Sequence, residues 1–142
     1  MCIIAQLLDI KGHGIVSVSP DESVYDALER MSERGIGALV VLENGRLVGM
    51  VSERDYARKV ILRGKSSRDT RVRDIMTSQV VCVGPERTVD ECMALLTERK
   101  VRHLPVLQDG KLIGVVSIGD LVKQILTEKD LMIEQLEQYI CQ

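Results

Sequence analysis

The sequence predicts an α/β (α+β) fold of two β-α-β-β-α units related by internal duplication, and three observations lead to it. Residues 16–62 align without a gap on residues 81–127, with fifteen of forty-seven positions identical. Each copy alternates an amphipathic helical stripe with short β-rich runs, so each is one supersecondary unit. The chain has 142 residues, no Trp, no Phe and three Tyr. That length suits one domain of ordinary size, and its core must be aliphatic. Because each unit of three short strands and two helices leaves an apolar face open, the two are expected to pack as one pseudo-twofold body.

The opening MCIIAQLLDIK lacks a basic leader and a small-residue cleavage site, so it reads as a first helix and not a signal peptide. A short strand follows in each copy (Val16, Val18; Val81, Val83) and reaches Pro20 or Pro85. Ser23 and Thr88 are N-caps, because apolar residues then recur at 24, 27, 28 and 31 and at 89, 92, 93 and 96. Two β-rich runs come next, 38–42 with 47–51 and 104–107 with 112–116. Asn44-Gly45 and Asp109-Gly110 supply the positive φ of a tight hairpin. Each hairpin leads into a helix capped by Ser52 or Ser117, the first ending near Gly64. The second carries Leu121, Val122, Ile125 and Leu126 and extends through Met132, Leu136 and Ile140, with a bend expected at 127–130. The expected division is a first unit over 1–64 with the N-terminal helix, a polar linker with a short helical turn over 65–76, and a second unit over 77–142 with the extended helix.

Nineteen basic and 21 acidic residues are mixed along the chain for a net charge of −2. No basic field for nucleic acid or anionic lipid results, and the stacking platforms of single-strand binders are missing. No apolar run reaches membrane-spanning length, so no membrane partner is expected and the expected compartment is the cytoplasm. Cys2, Cys82, Cys92 and Cys141 match no paired metal or redox spacing and read as reduced thiols, Cys92 buried and Cys2 and Cys141 terminal. His13, in a glycine-flanked loop, reads as solvent-facing. Two histidines ninety residues apart and no partnered nucleophile offer neither triad nor metal cluster, so no enzyme and no catalytic cofactor is expected.

One constellation recurs. Gly49-x-x-Ser52-x-x-Asp55 returns as Gly114-x-x-Ser117-x-x-Asp120, with a hydroxyl and a carboxylate at the same strand-to-helix junction. Ser followed three residues later by an acid is a capping-box pattern that closes a helix with no ligand. The same groups and the amides of the helix start suit a phosphate and ribose hydroxyls. Spacing leaves both readings open.

The paired units resemble a tandem of CBS domains, the cystathionine-β-synthase-type module also called a Bateman module. The residues that carry the resemblance are Gly-Ile-Gly-Ala-Leu-Val-Val at 35–41, Gly-Met-Val-Ser-Glu-Arg-Asp-Tyr at 49–56, Asp-Ile-Met-Thr at 74–77, Arg-His-Leu-Pro-Val at 102–106 and Gly-Val-Val-Ser-Ile-Gly-Asp-Leu at 114–121. The resemblance implies a module that binds an adenosine compound (AMP, ADP, ATP, NAD or S-adenosylmethionine) between its two copies, forms a homodimer and regulates an effector protein. Carried onto these positions, it implies that Asp55 and Asp120 hold ribose hydroxyls and that Ser52 and Ser117 lie beside ribose or phosphate. Small and aliphatic residues such as Ala38, Met50, Val115 and Ile118 would sandwich the adenine. Where the second copy has Arg102-His103 the first has Gly37-Ala38, and where the first has Arg54 the second has Gly119, so unequal sites are expected. Arg54, Arg102 and His103 are the phosphate candidates, guanidinium offering paired donors. Solvated surface charge is the competing reading for the arginines, and an exposed strand-end position for His103, which precedes Leu104-Pro105. The ligand set is thus Gly37, Ala38, Ser52, Arg54, Asp55, Arg102, His103, Pro105, Ser117, Ile118 and Asp120. The functional expectation is an adenosine-nucleotide sensor signalling to a partner, set against a ligand-free dimerising interaction module.

Overall fold

The computed structural model describes residues 2–140; Met1, Cys141 and Gln142, and with them the reading of Cys141 as a free thiol, lie outside the described residues. In order come α1 (Ile4–Lys11), β1 (Ser17–Val18), α2 (Val24–Arg34), β2 (Ala38–Glu43), β3 (Arg46–Ser52), α3 (Glu53–Lys59), α4 (Val89–Arg99), β4 (His103–Gln108), β5 (Lys111–Ser117) and α5 (Ile118–Ile140). Short 3-10 turns occupy Ile61–Arg63 and Val72–Asp74. The chain divides into two compact units, one of 14–81 and one of 1–13 with 82–142.

The expected local chemistry is present in both repeats. Asp26 N–H donates to Ser23 Oγ at 3.1 Å and Glu91 N–H to Thr88 Oγ1 at 3.1 Å, satisfying otherwise orphaned helix-start amides. Both hairpins turn on a left-handed pair, Asn44 and Gly45 (φ 53 and 76) and Asp109 and Gly110 (φ 52 and 77). That twist matches the strands, and both antiparallel ladders keep the same register, Ala38 opposite Ser52 and His103 opposite Ser117. On the face of the first sheet turned to its unit's core, Leu39, Val41 and Val51 are buried.

Two expectations change. The first strand of the second repeat shrinks to one parallel bridge, Val83 with Val106, whereas β1 pairs over two residues. Pro105 stands where the first repeat has Val40, and a proline has no N–H with which to continue the ladder. The long helix is unbroken through 127–130.

The larger correction concerns the expected division. The N-terminal helix belongs to the unit of the second repeat, and the stretch expected to link the repeats is built into the first unit. Val24 N–H donates to Thr70 O (2.8 Å), Val72 N–H to Glu22 O (2.9 Å) and Arg73 N–H to Pro20 O (3.0 Å). Sixty-five residues on, Val89 N–H donates to Cys2 O (2.9 Å), Ile4 N–H to Arg87 O (2.8 Å) and Ala5 N–H to Pro85 O (2.8 Å). Each repeat is therefore closed by the segment that precedes the other one. The physical reason is apolar matching: Val72 and Ile75 are buried in the first unit, and Ile4, Leu7 and Leu8 in the second. Cys2 is accordingly buried and not a loose terminus. No disulfide joins Cys2, Cys82 and Cys92, and burial pushes the Cys92 thiol up to about 11.

Candidate functional site

The candidate residues gather at one strand-to-helix junction in each unit. In the first, β3 delivers Ser52 to the start of α3 and the ladder sets Ala38 opposite it. Glu53 N–H donates to Gly37 O at 3.0 Å, fixing the loop before β2 against the helix start. Asp55 N–H donates to Ser52 Oγ at 3.2 Å, while Ser52 N–H and Ser52 Oγ donate to Asp55 Oδ2 at 2.9 and 3.0 Å. Lys59, one turn further on, lies 3.5 Å from Asp55 Oδ1 and donates to Ile75 O at 2.8 Å. Arg54 is exposed at the rim of this junction.

The second unit repeats the scaffold with other charges. Ile118 N–H donates to Arg102 O at 2.9 Å, and β5 delivers Ser117 opposite His103. Asp120 N–H donates to Ser117 Oγ at 3.1 Å and Ser117 N–H donates to Asp120 Oδ2 at 2.8 Å. The capping box anticipated as one of two readings is formed at both junctions. It does not exhaust the carboxylates: each oxygen has two lone pairs, so the box leaves acceptor capacity over. Arg102 and Ile118 are exposed, His103 is half-buried and Pro105 is buried in β4.

One residue at this junction escaped sequence reasoning. Lys11, the last residue of α1, donates from Nζ to Asp120 Oδ2 at 2.5 Å and to Val115 O at 2.6 Å. It arrives there only because α1 closes the second repeat, so no spacing near residue 120 signals it. A weaker signal existed at the level of the segment: apolar residues at 4, 7 and 8 repeat the pattern at 72, 75 and 76. Lys11 alters the local electrostatics. Burial by itself pushes the Asp120 carboxyl up, but hydrogen bonds from Lys11 and the Ser117 amide outweigh it and hold the group below its ordinary value. Burial, reinforced by the Lys11 cation, pushes His103 down from its ordinary value, which favours a neutral imidazole. His13 is not simply solvated: Nδ1 lies 3.0 Å from Ile113 O and Nε2 3.3 Å from Asp9 Oδ1.

The repeated glycines of the motif have a packing role. A Cβ on Gly49 would lie 2.8 Å from Met76 Sδ and 2.9 Å from Thr77 O; one on Gly114 would lie 2.7 Å from Leu8 Cδ2. These are the places where the crossed segments pass over the last strand of each sheet. Among the described residues no group of three or more metal-ligating side chains gathers, and no helix is long and apolar enough to cross a membrane.

A family model described as CBS domain matches residues 9–62 and 72–127. The CBS domain-containing protein CBSX3, mitochondrial, of Arabidopsis thaliana is 43% identical over 125 residues, which cover 84% of this chain and 61% of that protein. The chain thus spans less than two thirds of that relative. A solved structure of a protein with CBS domains from Burkholderia ambifaria MC40-6 is 51% identical with a TM-score of 0.86, covering 89% of this chain and 95% of that one. The CBS domain pair of MJ0100, in complex with 5-methylthioadenosine and S-adenosyl-L-methionine, has a TM-score of 0.79 over 89% of this chain and 98% of that one. At 19% identity that likeness is one of fold.

Proposed function

Because the chain belongs to the CBS domain family, we propose that it is a non-catalytic regulatory module that binds an adenosine compound and signals its occupancy to an effector protein. The single observation that carries this reading is the Ser–Asp pair at one strand-to-helix junction, built twice with the same hydrogen bonds. Asp55 and Asp120 are proposed to accept from ribose hydroxyls with the acceptor capacity left by the capping boxes. Ser52 and Ser117 would lie beside ribose or phosphate, with Gly37, Ala38, Pro105 and Ile118 against the base. Arg54 in one unit and Arg102 with His103 in the other are the proposed phosphate partners, and Lys11 joins the second set. The MJ0100 pair supports an adenosine ligand in this fold.

AMP, ADP, ATP and NAD remain the ligand candidates, together with S-adenosylmethionine. The ligand favours one state of the module by binding it better than the other, and that difference is what a partner reads. The cytoplasmic setting expected from the sequence stays a proposal; the Arabidopsis relative's name places that protein in mitochondria. The second reading, a dimerising interaction module without ligand, is favoured by one observation: a row of exposed apolar residues along α5. Self-association is compatible with both.

Thermal unfolding with each candidate at millimolar concentration tests the reading. A ligand at a hundred times its Kd adds about 2.7 kcal/mol, a rise on the order of 5 to 10 °C for a domain of this size. The expected result is such a rise with one compound, abolished in Asp120→Ala or Asp55→Ala. No rise with any of the five overturns the sensor reading in favour of the interaction module.

A further inference from the structure

We propose that α5 is a self-pairing helix: it docks antiparallel on α5 of a second copy of this chain. The inference deepens the self-association stated above and rests on it. Residues 118, 122, 125, 129, 132, 136 and 139 follow one another at spacings of four, three, four, three, four and three, the 3.5-residue period of a two-helix seam. They are Ile118, Val122, Ile125, Lys129, Met132, Leu136 and Tyr139. The helix that carries them is continuous over 23 residues. Leu121 anchors its first turns in the second unit, being fully buried, whereas Met132 is 62% exposed, Leu136 56% and Tyr139 80%. Leu126 and Ile133, at 56% and 52%, widen the stripe on one side. Leu131, 54% exposed, stands off this stripe, but an apolar face of this length left in water marks an interaction surface.

The order of residues along the stripe selects the occupant. Read against itself in reverse, the pattern is self-complementary: Val122 meets Tyr139 of the second copy, Ile125 meets Leu136, and Lys129 meets Met132. Every layer between Val122 and Tyr139 then pairs apolar with apolar, or lays the Lys129 stem along a flexible thioether with its ammonium in reach of Glu128 of the second copy, while Ile118 lies beyond the paired stretch. A parallel pair instead stacks Lys129 on Lys129 in the middle of the seam, and like charges facing each other there repel. The antiparallel arrangement also opposes the two helix dipoles.

Light scattering on the full chain reads the mass directly. The expected result is a dimer for the wild type and half that mass for Leu136→Glu, with the same helical circular dichroism, since Leu136 is 56% exposed; its unfolding midpoint falls only by the concentration-dependent amount that dimerisation contributes. A wild-type monomer at micromolar concentrations overturns both the self-association and this inference. A Leu136→Glu variant that stays dimeric overturns the inference alone, because the copies then meet elsewhere. Orientation is read by oxidation in a Cys141→Ser background. A mixture of Val122→Cys and Tyr139→Cys chains is expected to give a covalent dimer, and neither variant alone; cross-linking of either variant alone assigns a parallel pair, and that result or no cross-link in the mixture overturns the antiparallel one. In the antiparallel pair two copies of the same introduced thiol lie about 25 Å apart along the seam at 1.5 Å per residue, too far to join.

Discussion

Lys11 and Asp120 form the ion pair with the most direct bearing on the proposed function. Both side chains are partly exposed, so the pair itself contributes on the order of 0.2–1 kcal/mol. In the proposed ligand complex its effect has two signs: Lys11 would compete with ribose hydroxyls for the carboxylate, yet would supply a cation for phosphate. Lys11→Met is therefore expected to strengthen binding of plain adenosine by up to about fivefold, the upper end of that energy range, and to weaken ATP by a similar factor. Isothermal titration with the two ligands checks this; a change of the same sign for both would remove Lys11 from the phosphate set. His103 provides a pH test. Its folded pKa lies below the ordinary value of 6.5, so on acidification the unfolded chain takes up the proton first, and stability falls as pH drops below 6.5. His13 has the opposite sign: its raised pKa, held by the Ile113 carbonyl and Asp9, gives stability that is present below 6.5 and lost as pH rises through the folded value. Urea titrations from pH 5 to 7.5 are expected to show His103→Gln flattening the acid decline and His13→Gln steepening it.

At the scale of elements, the two glycines mark where β3 and β5 are crossed by segments from elsewhere in the chain. Gly49 faces a backbone oxygen, which cannot step aside, whereas Gly114 faces the end of a leucine side chain, which can rotate. Gly49→Ala is expected to cost about 1–3 kcal/mol, and Gly114→Ala to fall at the lower end of that range. Chemical denaturation of both variants measures it, and equal costs would mean that Leu8 is as immobile as the Thr77 carbonyl. These glycines were visible in the sequence as part of a repeated motif, but their neighbours were not. Met76 and Leu8 stand at different distances along the chain from the glycines they cover, so no fixed spacing reveals the pairs.

At the scale of the whole molecule, the division of the chain into units inverts the order in which the N-terminal helix is read. Deleting residues 1–11 is expected to expose Leu104, Val106 and the start of α4 to solvent while leaving the 14–81 unit protected. Hydrogen–deuterium exchange followed by peptide mapping reads both units at once. Faster exchange confined to β2 and β3 would return α1 to the first unit and reject the observed division. A regulatory consequence belongs to the same scale, since α1 carries Lys11 into the second unit's junction and any event that loosens α1 changes that junction's charge.

The sequence by itself determined the duplication, the helices with their Ser and Thr caps, both Asx-Gly hairpins and the Ser–Asp junctions. Apart from the duplication, which is read by aligning copies sixty-five residues apart, each of these depends on residues a few positions apart, whose periodicity and turn chemistry act locally. The chain's membership in its family was legible for the same reason. Tertiary structure alone decided which repeat each flanking segment closes, why Gly49 and Gly114 have no side chain, and that Lys11 meets Asp120. Those outcomes depend on apolar segments choosing between two similar sheets. Ile4, Leu7 and Leu8 match one as Val72, Ile75 and Met76 match the other, and a choice between near-identical partners is settled by three-dimensional packing, which leaves no local periodicity to read.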